Sequence, residues 1–223
     1  MFSSLAPDVL ARALARFNEQ LPRVRVSIVE ATQRLLVGAL RRYELDAVAG
    51  RLFTSDSSED LRYEVLYTDS FCVVCEAGHP LAKAPADVGD ARLGELLEYP
   101  WILTTPGTAL RQRIDTYFIT HAGKAPAGVA ETHSLLTILG LLADGRHLAV
   151  MAGELARFLQ AQDVLRVLRP AFAEMEGAIT FITRVDAPRR RAIALLRDAL
   201  KEASQPAGTL DATPRHAPDS PGR

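Results

Sequence analysis

Apolar positions recur along the chain with two periods, near 3.6 and near 2, and the segments holding each period alternate. Val9, Leu10, Ala13, Leu14, Phe17 and Leu21 share one helical face, and Pro22 closes that helix. RVRVSIVE, residues 23–30, alternates as a half-buried strand does. A second helix over 32–43 gathers Leu35, Leu36, Ala39 and Leu40 on one side, and the short apolar run LDAVAG follows as a strand. Beyond the polar TSDSSED come strands over 61–68 and 71–76, then a short helix around 93–97. Strand 101–105, helix 109–123, strand 128–132, helix 133–144, strand 147–151 and helix 153–161 succeed one another, before strands over 164–168 and 178–184. A last helix starts at Pro188, with Asp186 as its candidate cap. This alternation predicts an α/β fold with mainly parallel strands and right-handed crossovers. Residues 204–223, rich in Pro, Gly and polar residues without period, predict a disordered tail.

Composition narrows the picture. With 223 residues, 48% of them hydrophobic, the chain can bury a core in one large domain or two small lobes. Its 26 Lys and Arg against 27 Asp and Glu leave no cationic surplus for phosphates or anionic lipid. No apolar run reaches the roughly 18–20 residues that span a bilayer. MFSSLAPDVLARAL lacks the basic start and cleavage pattern of a leader, so the cytoplasm is the expected location, without membrane contact.

Catalytic and metal motifs find no purchase. There is no Gly-x-Ser-x-Gly elbow, Gly-rich phosphate loop or His-Glu-x-x-His, so neither catalytic residues nor a cofactor are assigned. The run CVVCEAGHP places Cys72, Cys75 and His79 at a spacing that zinc and redox sites use. On a strand, however, residues three apart face opposite sides with Cα atoms about 10 Å apart, beyond the reach of a disulfide. Both cysteines therefore read as small buried apolar residues, and His79 as part of the turn that leaves the strand.

A series of short motifs resembles the effector-binding domain of LysR-type transcriptional regulators over about residues 4–203. It comprises Phe17 and Pro22, Leu45-Asp46, His79-Pro80-Leu81-Ala82, Tyr99-Pro100-Trp101-Ile102, and Glu131 with Ser134, all in family order. The resemblance implies two Rossmann-like lobes of type 2 periplasmic-binding-protein architecture, joined by two crossover strands. Lobe I would hold 1–76 plus 183–203, and lobe II 77–182. It further implies a small inducer in the interlobe cleft and a homodimer built from 8–20 and 134–144, forming a tetramer in a full-length regulator. DNA would be contacted only through an N-terminal helix-turn-helix domain, which has no counterpart among these residues. The family's opening Arg-x-Gly strand has no counterpart either, which predicts a gap in the first lobe's sheet.

Ligands of open α/β sheets sit beyond the carboxyl ends of the strands. Ser3, Ser4, Thr32, Thr104, Thr105, Thr132, His133 and Ser134 occupy four such junctions, as helix caps or as ligand donors. By alignment the family's contacts correspond best to Ser4, Thr32 and 132–134. Arg51 faces the same end, as a carboxylate fork or a solvated surface residue. Arg189, Arg190 and Arg191 read as a solvated face. Helix N-termini around one cleft favour an anion, so an organic acid is the expected effector. A transporter's solute-binding protein and a stand-alone modulator of intact regulators stay open as other readings.

Overall fold

The computed structural model describes residues 5, 7–51, 58–83, 93–188 and 190–204. The elements run α1 (Pro7–Gln20), α2 (Gln33–Arg41), β1 (Val48–Arg51) and β2 (Leu61–Cys75), then α3 (Leu93–Leu96), β3 (Trp101–Leu103), α4 (Ala109–Ala122) and β4 (Gly128–Glu131). They continue through α5 (Leu135–Leu142), β5 (Leu148–Ala152), α6 (Gly153–Gln160), β6 (Arg166–Arg184) and α7 (Arg191–Ala203). Six described strands form a sheet in the order β1-β6-β2-β5-β3-β4.

Two long strands organise this sheet. β2 and β6 pair antiparallel from Leu61 opposite Arg184 to Cys75 opposite Arg166, with irregular register between Val65 and Tyr67 and on either side of Phe71. They are the crossover strands of a two-lobed α/β fold. The period-2 pattern reads each as two strands because bulges interrupt the alternation midway. The expected parallel majority is corrected at the same point: β1–β6, β2–β5 and β2–β6 are antiparallel, whereas β3–β4 and β3–β5 are parallel. A strand that crosses the molecule enters the second half already running against its neighbours there.

The core divides along these strands. One cluster surrounds β3 and β5, with Trp101, Phe118, Ile114, Leu148 and Leu93 fully buried. The Trp101 indole donates to Leu96 O at 2.9 Å and meets Phe118 edge-on at 5.2 Å, so truncation to Ala there costs about 3–5 kcal/mol. At the other end, α1 and α7 cover one face, with Val9, Ala13 and Leu200 against Phe181 of β6, and α2 covers the other with Leu36 and Leu40.

Three further expectations change. Residues 23–30 form no strand, and Val24, Ile28 and Val29 remain 39%, 42% and 45% exposed. The alternating pattern is present, but no described strand lies beside it, and β1 pairs only with β6 among the described residues. The last helix begins at Arg191 with Arg190 as its cap residue, not at Pro188. Asp186 instead accepts the Tyr43 hydroxyl at 2.5 Å and lies 3.6 Å from Arg184. Arg189 and the tail from 205 onward lie outside the described residues.

Candidate functional site

Strands β3 and β4 are parallel, so their carboxyl ends deliver Thr104, Thr105 and the segment 132–134 to the same edge of the sheet. Thr132 N–H donates to Leu103 O at 3.0 Å, which locks the two exits together. After β3 the chain turns through Pro106 and Gly107, whose φ of 81° suits a residue without a side chain, and enters α4. Thr108 is the cap of that helix, its Oγ1 accepting Arg111 N–H at 3.3 Å and donating to Thr105 O at 2.9 Å. Thr104 Oγ1 lies 3.3 Å from the same hydroxyl.

The exits converge on two contacts between side chains. Thr105 Oγ1 is hydrogen-bonded to His133 Nε2. Arg111, on the first turn of α4, reaches back over the strand ends: Nη1 donates to Thr104 O at 3.0 Å and to Glu131 Oε1 at 2.9 Å, while Nε donates to both Asp115 oxygens at 3.0 and 3.1 Å. The Glu131 bond, reinforced by Asp115, raises the Arg111 pKa and keeps it charged. On the other exit, Thr132 Oγ1 accepts Ser134 N–H at 3.1 Å and Ser134 Oγ caps α5 through Thr137 N–H at 3.3 Å. Thr105, His133 and Ser134 are exposed, and Thr104 and Thr132 half-buried. The result is a polar rim of hydroxyls, one imidazole and one carboxylate above the starts of two helices.

Five of the nine residues singled out in the sequence thus share this rim. Thr32 precedes α2 and is exposed, and its hydroxyl makes no cap bond, which leaves it available to a partner. No described contact joins it to the rim. Ser3 and Ser4 lie outside the described residues. Arg51 is corrected outright: its side chain is 1% exposed and turned inward. Its Nη2 donates to Asp69 Oδ2 at 2.9 Å and its Nη1 to Asp69 O at 2.5 Å, and the guanidinium stacks 4.3 Å over Phe71. Asp69 also accepts Glu154 N–H at 3.2 Å at the start of α6, so the pair ties β1, β2 and α6 together.

Thr108 and Arg111 are rim residues that sequence reasoning passed over, and Glu131 was read as a family motif residue without a place in the site. The available signal was a base in the first turn of the helix after one strand and an acid closing the next strand. It becomes a contact only when those strands are adjacent and parallel.

The cysteines and His79 take ordinary places. Burial pushes both thiols up to about 12, so neither ionises near neutrality. Cys72 Sγ lies 3.7 Å from Met151 O, and Cys75 is buried. His79 Nδ1 accepts Leu81 N–H at 3.1 Å within the turn. A shallow cavity of ≈ 460 Å³ lined by Pro80, Tyr99, Pro100, Gly145, Arg146 and His147 opens at the amino ends of β3 and β5, opposite the rim. No described helix is long and apolar enough to cross a membrane.

Comparison with known proteins agrees with this architecture. The family model "LysR substrate binding domain" matches residues 1–205. The HTH-type transcriptional regulator GalR of Pseudomonas putida is 31% identical over 176 residues, 79% of this chain and 43% of its own. The reduced OxyR regulatory domain of Pseudomonas aeruginosa superposes with a TM-score of 0.70 at 24% identity, covering 90% of this chain and 94% of that one. The effector binding domain of QuiR in complex with shikimate gives 0.69 at 16% identity, covering 90% and 92%. The chain spans about half the length of the curated relatives it matches.

Proposed function

The chain belongs to the LysR substrate-binding domain family, and from that premise we propose that it is the effector-sensing part of a transcriptional regulator, taking a small organic acid at the rim above β3 and β4. The relatives it matches are transcriptional regulators rather than enzymes. The observation that carries the reading is the convergence of Thr104, Thr105, Thr132, His133 and Ser134 on the starts of α4 and α5. Two helix amino termini, ringed by hydroxyl donors, stabilise negative charge. Thr32, whose hydroxyl makes no cap bond, and the Ser3–Ser4 junction are the donors we assign to the facing lobe, with the lobes divided as 1–76 plus 183–203 and 77–182. QuiR, bound to shikimate, shows an acid accommodated in a domain of this shape.

Closure of the lobes on the acid is the signal, and a pair of such domains passes it to a DNA-reading part. With a formal net charge of −1 this stretch itself holds no duplex. Thermal-shift measurement across carboxylates, neutral sugars and amines tests the site. A carboxylate at about a hundred times its Kd should add about 2.7 kcal/mol of stability. Thr32→Val and His133→Gln should each weaken that response. If only sugars or amines stabilise the fold, or both variants respond as the parent does, the assignment fails.

A further inference from the structure

Arg111, which would otherwise be the natural fork for a ligand carboxylate, is largely committed within the protein. Its side chain is 15% exposed, its Nε donates to Asp115, and its Nη1 donates to Thr104 O and Glu131. One cation facing two carboxylates leaves this trio with a net charge of −1. Glu131 is the accessible member: its side chain is 40% exposed, Oε1 is held by Arg111, and Oε2 makes no hydrogen bond among the described residues. It ends β4, two residues before His133, whose ring bonds the exposed Thr105, and three before Ser134, the cap of α5.

An anchored carboxylate with a free acceptor lone pair has definite preferences. Beside a ligand carboxylate it is a like charge at short range, and beside hydrocarbon it is a desolvated ion without a partner; both are unfavourable. Beside a hydroxyl it accepts a charge-assisted hydrogen bond. The surrounding Thr105, Thr132 and Ser134 hydroxyls donate and accept alike, which suits the same ligand chemistry. A small acid can therefore satisfy the helix starts with its carboxylate only if the part meeting Glu131 carries donors.

We propose that Glu131, held in place by Arg111, is the specificity-determining residue of this site and selects hydroxylated acids against acids of the same size without hydroxyls. This rests on the reading of the rim as the effector site. Arg111 is a positioning residue in this scheme, fixing the Glu131 carboxylate where the ligand's hydroxyl arrives. Removing the Glu131 charge abolishes the penalty on bare acids, so discrimination collapses while binding persists.

Two size-matched pairs of probes test it by titration calorimetry: quinate against cyclohexanecarboxylate, and gluconate against hexanoate. For the unmodified chain the hydroxylated member of at least one pair binds about tenfold or more tightly, the scale on which a site built to hydrogen-bond a hydroxyl rejects its absence. Glu131→Gln, nearly isosteric and still able to accept from Arg111, brings that ratio close to one. Glu98→Gln, which removes an exposed carboxylate beside Lys124 at the opposite end of β3, keeps the preference and controls for a general electrostatic effect. Circular dichroism confirms that each variant is folded. Equal binding of both members to the unmodified chain, or an unchanged ratio in Glu131→Gln, overturns the role of Glu131 while leaving the effector site intact. Tighter binding of trans-4-aminocyclohexanecarboxylate than of quinate makes the required donor an ammonium and overturns the hydroxyl assignment. If no carboxylate binds the unmodified chain or Glu131→Gln, the effector-site reading falls with it.

Discussion

His79 is fully buried, and its ring must keep one nitrogen bare to accept the Leu81 amide. Protonation would turn that acceptor into a donor facing an N–H, and burial accordingly lowers the imidazole pKa below its ordinary value. A group whose pKa is depressed on folding contributes stability in full above its unfolded value of about 6.5, and that stability is lost as the pH falls below it. We expect the melting temperature to decline between about pH 7.5 and about pH 5.5, with a flatter profile in His79→Gln, the other histidines being common to both proteins. Arg51 shows the converse limit of single-residue reading. Its position at a strand end was legible, but its partner Asp69 lies 18 positions on, on a strand that the fold sets beyond β6 in the same sheet. A buried guanidinium and an exposed one look alike in sequence. The rim hydroxyls were legible because strand-to-helix junctions are marked by Ser and Thr whatever the topology.

At the scale of elements, periodicity located every described α-helix, because a 3.6 repeat is set by residues within one segment. Ends were less visible. Gly123 stops α4 with φ 76°, while α7 starts at Arg191, three residues past Pro188, with Arg190 making no side-chain cap bond. Strands depend on neighbours, and 23–30 makes the point: its pattern is that of a strand and its surroundings are not. Among the described residues no backbone hydrogen bond is made by 25–30, whereas Val73 and Val74 pair with both β5 and β6. Hydrogen exchange should therefore show amides 25–30 exchanging within the dead time of a manual experiment and those of Val73 and Val74 protected to near the global unfolding free energy. Protection of 25–30 comparable to β2 would show that a strand covers it in solution.

At the scale of the molecule, α5 offers more apolar surface than its own core takes. Leu136 is 82% exposed while Leu142 alone of that helix is fully buried, and α1 turns Ala11 and Ala15 outward. These are the faces we assign to a two-fold homodimer. Leu136→Asp should shift sedimentation from dimer to monomer at tens of micromolar with little change in melting temperature, since the side chain supports no internal packing. A dimer unaffected by that change would move the interface elsewhere. The lobed architecture was legible through family motifs, but the antiparallel course of β2 and β6 was not, because crossing strands carry no signature beyond length. Their union has a mechanical meaning. A ribbon of two strands resists bending in its own plane and stretching along its length, but it yields to torsion wherever its register is broken. The breaks here fall between Val65 and Val73, beside the Arg51–Asp69 pair. What an occupied site can transmit most cheaply through such a ribbon is a change of twist, so a distant partner would read an angle rather than a distance.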